Sequence, residues 1–438
     1  MQRPQFLLFV GDVHLGRRPG RVPADLAAEG VDPRALSPRA AFDAVIEEAL
    51  ALGARAVVFL GDVVDAEDHF LEAYSVLERG VRRLVKAGVE VLAVAGNHDV
   101  RALPRLVGGV PGFRLLGGGG CWEEHVLAGP SGEPLVRLVG WSFPRPKVTE
   151  SPLAGLGELA LVPRAEIPTI GLLHCDLDQR SSPYAPVMQR DLEAVMVVDA
   201  WLLGHVHAPS YEALATPRPV GYLGSLVGLD PSETGVHGPW RLALDGGRAF
   251  QLQQLALAPL AWAVIDVSVE EIKDADEIEP ALTAALRGFA EGGGERFSSA
   301  RAVGCKLRLV GRSPAHRQLA ARARGLATED LRLERDGRLY FVDRLEDDAR
   351  AALDLEEIAR SGDPPGLLAS KLLALDRGEP VGTRLVHEAR ERLLRLADRR
   401  PWVSLDTPRP DDEAVRAHLR RAGEKALEEL LAQREVRA

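Results

Sequence analysis

The run Val89-Glu90-Val91-Leu92-Ala93-Val94-Ala95, followed by Gly96-Asn97-His98-Asp99, decides how the first half of this chain folds. The run is short, rich in valine and carries a single charge, so it reads as a buried strand. Directly after it come an amide, an imidazole and a carboxylate, side chains that bind metals or move protons. A strand that delivers such groups at its C-terminal end places chemistry at the carboxyl edge of an α/β sheet. The plain alternative is a polar turn, with Asn97 stabilising the bend and His98 incidental. Four further blocks of strand then ligand-type residues, all in the same half, favour the first reading.

Upstream, Phe6-Leu7-Leu8-Phe9-Val10 is a strand ending in Gly11-Asp12-Val13-His14-Leu15-Gly16. Met1-Gln2-Arg3-Pro4-Gln5 leads straight into it, without the length or cleavage site of a signal peptide. Arg17, Arg18 and Arg21 follow in a basic, irregular loop, read either as a solvated connection or as phosphate-backbone contacts at the mouth of a site. Ser37-Pro38 looks like a helix cap with a first-turn proline. Phe42, Val45, Ile46 and Leu50 then share one helical face. The strand Ala56–Leu60 ends in Gly61-Asp62-Val63-Val64-Asp65, and a helix from about Phe70 to Ala87 leads back to Val89. This β-α-β-α-β rhythm predicts a mainly parallel core with right-handed crossovers. Asp12, His14, Asp62, Asn97 and His98 then converge on one edge.

Downstream, the four glycines Gly117–Gly120 read as a hairpin loop, since no strand-to-helix context makes them a phosphate cradle. Val136–Trp141 is a strand, and Ile167–Leu173 another, ending in His174-Cys175-Asp176; Cys175 reads as packing. Val197–Leu203 ends in Gly204-His205-Val206-His207, two histidines that an extended segment points the same way.

Composition sets the bounds. At 438 residues two or three domains are expected. A hydrophobic content of 46% supports sizeable cores, and no apolar run is long enough to span a bilayer. Three scattered cysteines form no disulfide framework or zinc ribbon, which suggests a reducing, cytoplasmic setting. A net charge of -10 argues against coating nucleic acid by bulk electrostatics, but not against a nuclease with arginines gathered in one groove. Eight of the 11 histidines precede residue 240, and five of these sit in the five blocks.

Asp12, His14, Asp62, Asn97, His174, His205 and His207 supply too many ligands for one zinc ion. The mixture of nitrogen and oxygen suits two divalent ions, with Asp62 the natural bridge. Such a pair would activate water for in-line attack on phosphorus. His98 would then protonate or steady the leaving oxygen, and Asp99 would orient His98 from behind.

Asp-x-His, Gly-Asp-x-x-Asp, Gly-Asn-His-Asp, an isolated His and Gly-His-x-His, in this order over residues 6 to 255, resemble the calcineurin-like metallophosphoesterases. The resemblance implies a β-sandwich flanked by helices (αββα). It also implies that Asp12, His14, Asp62 and His207 hold one metal, that Asp62, Asn97, His174 and His205 hold the other, and that His98 is the catalytic histidine. Within that superfamily the chain is similar to the SbcD/Mre group of DNA repair exonucleases, including its YhaO-like bacterial branch. Leu15-Gly16, the stretches Gly221–Leu226 and Glu233–Gly238, and a long C-terminal extension carry this narrower likeness. Val63-Val64 and the acidic charge depart from it. The resemblance implies Mn²⁺ (with Mg²⁺, Fe²⁺ or Zn²⁺ as alternatives), DNA as substrate, an SbcC-like ATPase with a coiled coil as partner, and a homodimer.

The expected division is 1–257 for the nuclease domain, 258–350 for a small α+β capping domain and 351–438 for a helical region. In the middle segment, Asp336-Gly337 signals a hairpin. Ser361–Gly366 reads as a boundary. Val415, Leu419, Ala422, Ala426 and Leu430 form one apolar stripe, and Leu385, Ala389 and Leu393 another. Such stripes serve helix packing or a docked ATPase coiled coil. No Gly-x-x-x-x-Gly-Lys-Ser/Thr loop occurs, so an ATP-driven step needs another polypeptide. The leading reading is a dimetal DNA nuclease, exonuclease or endonuclease. A small-molecule or nucleotide phosphodiesterase and a non-catalytic scaffold are the alternatives.

Overall fold

The computed structural model describes residues 4–65, 70–245, 247–327, 330–397 and 410–437, so Met1-Gln2-Arg3 of the leading segment lies outside the described residues. The first sheet takes strands β1 (Gln5–Val10), β2 (Ala56–Leu60), β3 (Glu90–Val94) and β4 (Phe113–Leu115), all parallel. Helix α1 (Pro38–Leu52) joins β1 to β2, α2 (Phe70–Lys86) joins β2 to β3, and α3 (Ala102–Gly109) joins β3 to β4. Ser37 caps α1 by accepting from the Ala40 N–H, with Pro38 in the first turn, as the sequence predicts.

A second sheet holds β5 (Trp122–Ala128), β6 (Pro134–Trp141), β7 (Thr169–His174), β8 (Ala200–Gly204) and β9 (Val220–Tyr222) in that order; β5 and β6 are antiparallel, the rest parallel. Two antiparallel strands, β10 (Trp240–Leu244) and β11 (Phe250–Gln254), return to the first sheet beside β1.

Side chains alternate as a strand period of two requires. Ala56, Val58 and Leu60 face the second sheet and share a core with Leu138, Ile170, Leu172 and Leu202. Val57 and Phe59 face the other way, into a core with Phe42, Val45 and Ile46 of α1 and Leu77, Val81 and Leu84 of α2. The outer face of the second sheet is covered mainly by loops and short helices packed on Trp141, Phe143 and Trp201. The register aligns Val10 with Phe59 and Phe59 with Ala93, so β1, β2 and β3 end level on one edge. In the second sheet His174 is level with Gly204.

Gly117–Gly120 corrects one expectation. It is a crossing from β4 in the first sheet to β5 in the second, not a hairpin loop. Gly117 has φ 67°, and a Cβ there would lie 2.5 Å from the Gly140 carbonyl oxygen, so the crossing needs glycine where the two sheets close.

The chain groups into two compact units. One comprises Met1–Val267, Glu279–Arg308 and Leu326–Glu346; the other Ser268–Ile278, Leu309–Gly325 and Asp347–Ala438. The reason is packing. Leu260, Trp262, Ala302, Leu339 and Phe341, from a four-stranded sheet in the middle segment, bury into the same core as Leu8 and Val10 of β1. Trp262 is 1% exposed; its indole N–H donates to the Gly228 carbonyl at 3.1 Å and its ring meets Phe341 edge-on at 5.7 Å. Trp262→Ala is expected to destabilise the protein by about 3–5 kcal/mol through the lost burial and the cavity left behind. Urea unfolding checks this, and an unchanged midpoint would refute the shared core.

Asp336 and Gly337, both at positive φ, turn the hairpin between Arg332–Arg335 and Arg338–Asp347. In the second unit, helices Pro364–Asp376, Pro380–Ala397 and Asp412–Arg437 pack together. Ser361–Gly366 is not a boundary there: Asp363 caps the first of these helices by accepting from the Gly366 N–H at 3.0 Å. The last helix follows the predicted stripe over its first two turns, where Val415 is buried and Leu419 packs beside it, and departs from it beyond: Glu424 and Leu427 are buried, while Ala422 and Ala426 are exposed. Glu424 turns inward because Arg312, at 2.6 Å, and Arg420, at 3.1 Å, neutralise it. Leu393, in the other stripe, is 39% exposed.

Candidate metal centre

Each ligand-type residue sits at the end of a strand or just beyond it, and the two sheets bring these ends together. Asp12 follows β1 and is fully buried; both its carboxylate oxygens accept from the His205 backbone N–H, at 3.1 and 3.2 Å. His14, 1% exposed, donates from Nδ1 to Asp65 Oδ1 at 3.0 Å. His207 donates from Nδ1 to Glu233 Oε1 at 2.7 Å. Both rings thereby turn Nε2 inward, and these two atoms lie 3.0 Å apart, a separation that a shared proton or a metal ion bridges. Ligand atoms of Asp12, His14 and His207 all fall within 4.8 Å of one another.

A second set, Asp62, His174 and His205, meets the same 4.8 Å criterion. Asp62 Oδ2 is 3.9 Å from His14 Nε2 and 3.4 Å from His174 Nε2, so one carboxylate stands between the two sets. Asn97 Oδ1 is 3.1 Å from His174 Nε2. His174 Nδ1 donates to the Leu60 carbonyl at 2.9 Å, which fixes the ring. Burial by itself lowers the His174 pKa, but the Asp62 charge outweighs it and holds the group at about 10. Burial raises Asp62 in turn, and His174, His14 and His98 together pull it below the usual carboxylate range. Without a metal, a proton on His174 Nε2 therefore stands where a cation would; metal binding must release it. The donor set fits two divalent ions. A third set, His14, Asp65 and His98, overlaps the first.

His205 and His207 correct the expectation of a shared direction. The segment after β8 is a turn rather than extended, with His205 at φ 103°, and it sends the two rings to different ligand sets. His14 at φ 52° and Asp62 at φ 49° are also in the left-handed region. Backbone strain at three ligands is the kind that functional sites retain when the surrounding structure enforces it. Gly96 explains how the loops come so close: a Cβ there would lie 2.1 Å from Asp62 Oδ1.

His98 is exposed beside the first set, with its ring centroid 5.2 Å from that of His14. Its backbone N–H donates to Asp62 Oδ1 at 3.0 Å and its Nδ1 to the Asp65 carbonyl at 2.9 Å. Asp99 does not stand behind that ring. Its buried carboxylate accepts from the Val63 N–H at 2.7 Å and the Gly96 N–H at 2.8 Å, tying the loop after β2 to the loop after β3. Burial first, and then the Asp62 charge, raise its pKa to about 7. Asp99 is thus a strut between two ligand loops, and the Asp65 carbonyl takes the orienting role.

Arg17 and Arg18 are exposed, immediately beyond His14. Arg21 instead lies 3.5 Å from the nearly buried Asp343, so its charge is already committed. Cys175 is buried, and burial pushes its thiol well up, which suits packing rather than metal ligation.

Three supporting residues escaped the sequence reading: Asp65 on His14, Glu233 on His207, and Asp176, whose Oδ1 is 3.2 Å from His205 Nε2. Asp65 and Asp176 stand inside quoted motifs, but nothing in the sequence couples Glu233 to a histidine 26 residues earlier. Glu233 is held by the Ser225 hydroxyl at 3.1 Å and the Leu229 N–H at 2.9 Å. The loop carrying it is buttressed in turn by Trp262, whose carbonyl accepts from the Gly235 N–H at 2.9 Å. Glu233→Ala is expected to weaken metal affinity at the His207 set by about 10–100-fold, as loss of such outer partners does. Calorimetric titration with Mn²⁺ reads this directly; two undiminished binding events would exclude the role.

Residues 7–209 match the model of the calcineurin-like phosphoesterases, and residues 262–357 that of the middle domain of metallophosphoesterase YhaO. The DNA double-strand break repair protein Mre11 of Aeropyrum pernix is 28% identical over 249 residues, covering 55% of this chain and 58% of that protein. The uncharacterized metallophosphoesterase YhaO of Bacillus subtilis is 25% identical over 236 residues, covering 50% of this chain and 52% of that one. The matches thus span little more than half the length of either relative. No helix among the described residues is long and apolar enough to cross a membrane. Residues 7–209 thus carry a calcineurin-like phosphoesterase domain, followed at residues 262–357 by a middle domain of the YhaO type.

Proposed function

We propose that this protein is a dimetal DNA nuclease, hydrolysing phosphodiester bonds as a 3′–5′ exonuclease, an endonuclease or both. The observation that carries the reading is the shared Asp62 between two sets of ligands, with an exposed histidine at their edge. Likeness to an Mre11 protein over the phosphoesterase half supports nucleic acid as the substrate. Divalent ions held there supply Lewis acidity toward the phosphate oxygens and toward water. Asp12, His14, Asp62 and His207 would hold one, and Asp62, Asn97, His174 and His205 the other. His98 has its Nδ1 occupied by the Asp65 carbonyl, so Nε2 is the nitrogen that can hand a proton to the leaving oxygen.

Mn²⁺ is the proposed metal, since carboxylate, amide and imidazole ligands without thiolate suit it. The same reading carries a cytoplasmic location, a homodimer and an SbcC-like ATPase docked on the C-terminal helices, where Leu367, Val381, Leu393 and Leu396 are exposed.

The test is degradation of linear single- and double-stranded DNA by the purified full chain in Mn²⁺, beside hydrolysis of bis-p-nitrophenyl phosphate. Metal-dependent DNA degradation supports the nuclease. If the small diester is cleaved while DNA stays intact, even with an ATPase partner added, a small-substrate phosphodiesterase replaces it.

A further inference from the structure

Although the chain carries a net charge of -10, the face beside His14 is basic. A groove of about 1000 Å³ opens at Leu15–Arg18, directly after that ligand, and runs past Arg34 and Arg39 at the start of α1 to Ser75 and Val76 of α2. Ser75 also borders the next depression along α2, which holds Arg79 and Lys86. Arg17, Arg18, Arg34, Arg39, Arg79 and Lys86 are all exposed, and none makes an ion pair among the described residues. Neighbouring arginines behave differently: Arg82 pairs with Glu78, and Arg83 with Glu47. Among the described residues, two carboxylates line the groove. Asp32 accepts from the Arg34 backbone N–H at 2.9 Å, and Asp43 lies beside the already paired Arg83. The described lining of the groove remains net positive, and Arg17 is near enough to the metal centre for its charge to act on Asp65 and His207.

Unpaired cations gathered in one groove repel each other, and a polyanion relieves that repulsion. A small diester seated at the metals leaves the far end of the track empty. Arg79 and Lys86 alone, seven residues apart on α2, span about 10 Å along the helix axis. The track therefore suits a chain of phosphates rather than one.

We infer that the backbone of a nucleic acid runs from the metal centre along this groove, over the start of α1 and onto α2. The inference rests on the nuclease reading and adds a path and the side chains that read it. Its test is Arg34→Glu combined with Arg39→Glu, in the full chain. Neither side chain touches a metal ligand, and a carboxylate at Arg39, in the first turn of α1, suits the helix dipole. Binding is measured with His98→Ala in both backgrounds, using an oligonucleotide of about 20 residues as single strand and as duplex. The reversal is expected to weaken binding of at least one form about 10-fold or more and to flatten the slope of log K against log salt by about 1 to 2. With His98 restored, hydrolysis of bis-p-nitrophenyl phosphate stays at the wild-type rate. Unchanged affinity and slope for both forms overturn the groove while leaving the nuclease standing. A wild-type protein that hydrolyses the small diester but neither binds nor cuts either oligonucleotide overturns the nuclease reading, and the groove with it.

Discussion

Asp62→Asn is expected to bring hydrolysis of any phosphodiester down about 10³-fold or more, because a metal pair contributes several kcal/mol to the transition state and each 1.36 kcal/mol is a factor of ten. The same substitution reduces bound Mn²⁺ from two ions to one or none, read by elemental analysis or calorimetry. Asn suits the test because its amide oxygen can still accept the His98 backbone N–H that Asp62 Oδ1 accepts at 3.0 Å. The loops therefore stay in place while the charge between the two ligand sets is lost. Full metal occupancy with an undiminished rate would show that Asp62 is not shared.

His98→Ala is expected to lower kcat for DNA about 10²–10⁴-fold, the range for loss of a positioned acid, with both metals retained. Its dependence on the leaving group separates proton donation from mere positioning. A deoxyribose alkoxide needs a proton as it departs, whereas p-nitrophenolate leaves readily without one. The loss should therefore be large for DNA and much smaller for bis-p-nitrophenyl phosphate. Equal losses on both would assign His98 to the phosphate oxygens instead of the leaving group.

Much of this site was legible because it is built from strand ends. In an α/β sheet the residue after a buried strand lies at the carboxyl edge, so Asp12, Asp62, Asn97 and His174 could be placed by counting past Val10, Leu60, Val94 and Leu173. The helix cap at Ser37-Pro38 and the turn at Asp336-Gly337 were equally local, and both read correctly. What failed lay outside such segments. Asp99 neighbours His98 in the chain, yet its carboxylate bonds Val63 and Gly96, because loops ending level strands are closer in space than a side chain is to its neighbour's far face. Likewise the register of the last helix is set by Glu424 meeting Arg312, a pairing across 112 residues that no hydrophobic period reveals.

The sequence by itself determined the ligand types, their order and the parallel core that gathers them, since these follow from strand period, glycine turns and the chemistry of carboxylate and imidazole. Only the tertiary structure decided which metal set each of His205 and His207 serves, which carboxylates hold the ligand rings, and that Trp262 of the middle segment supports the Glu233 loop. Those choices depend on a backbone bend at φ 103° and on contacts between residues far apart in the chain. Such contacts are fixed by the packing of whole sheets, for which a linear sequence carries no local mark.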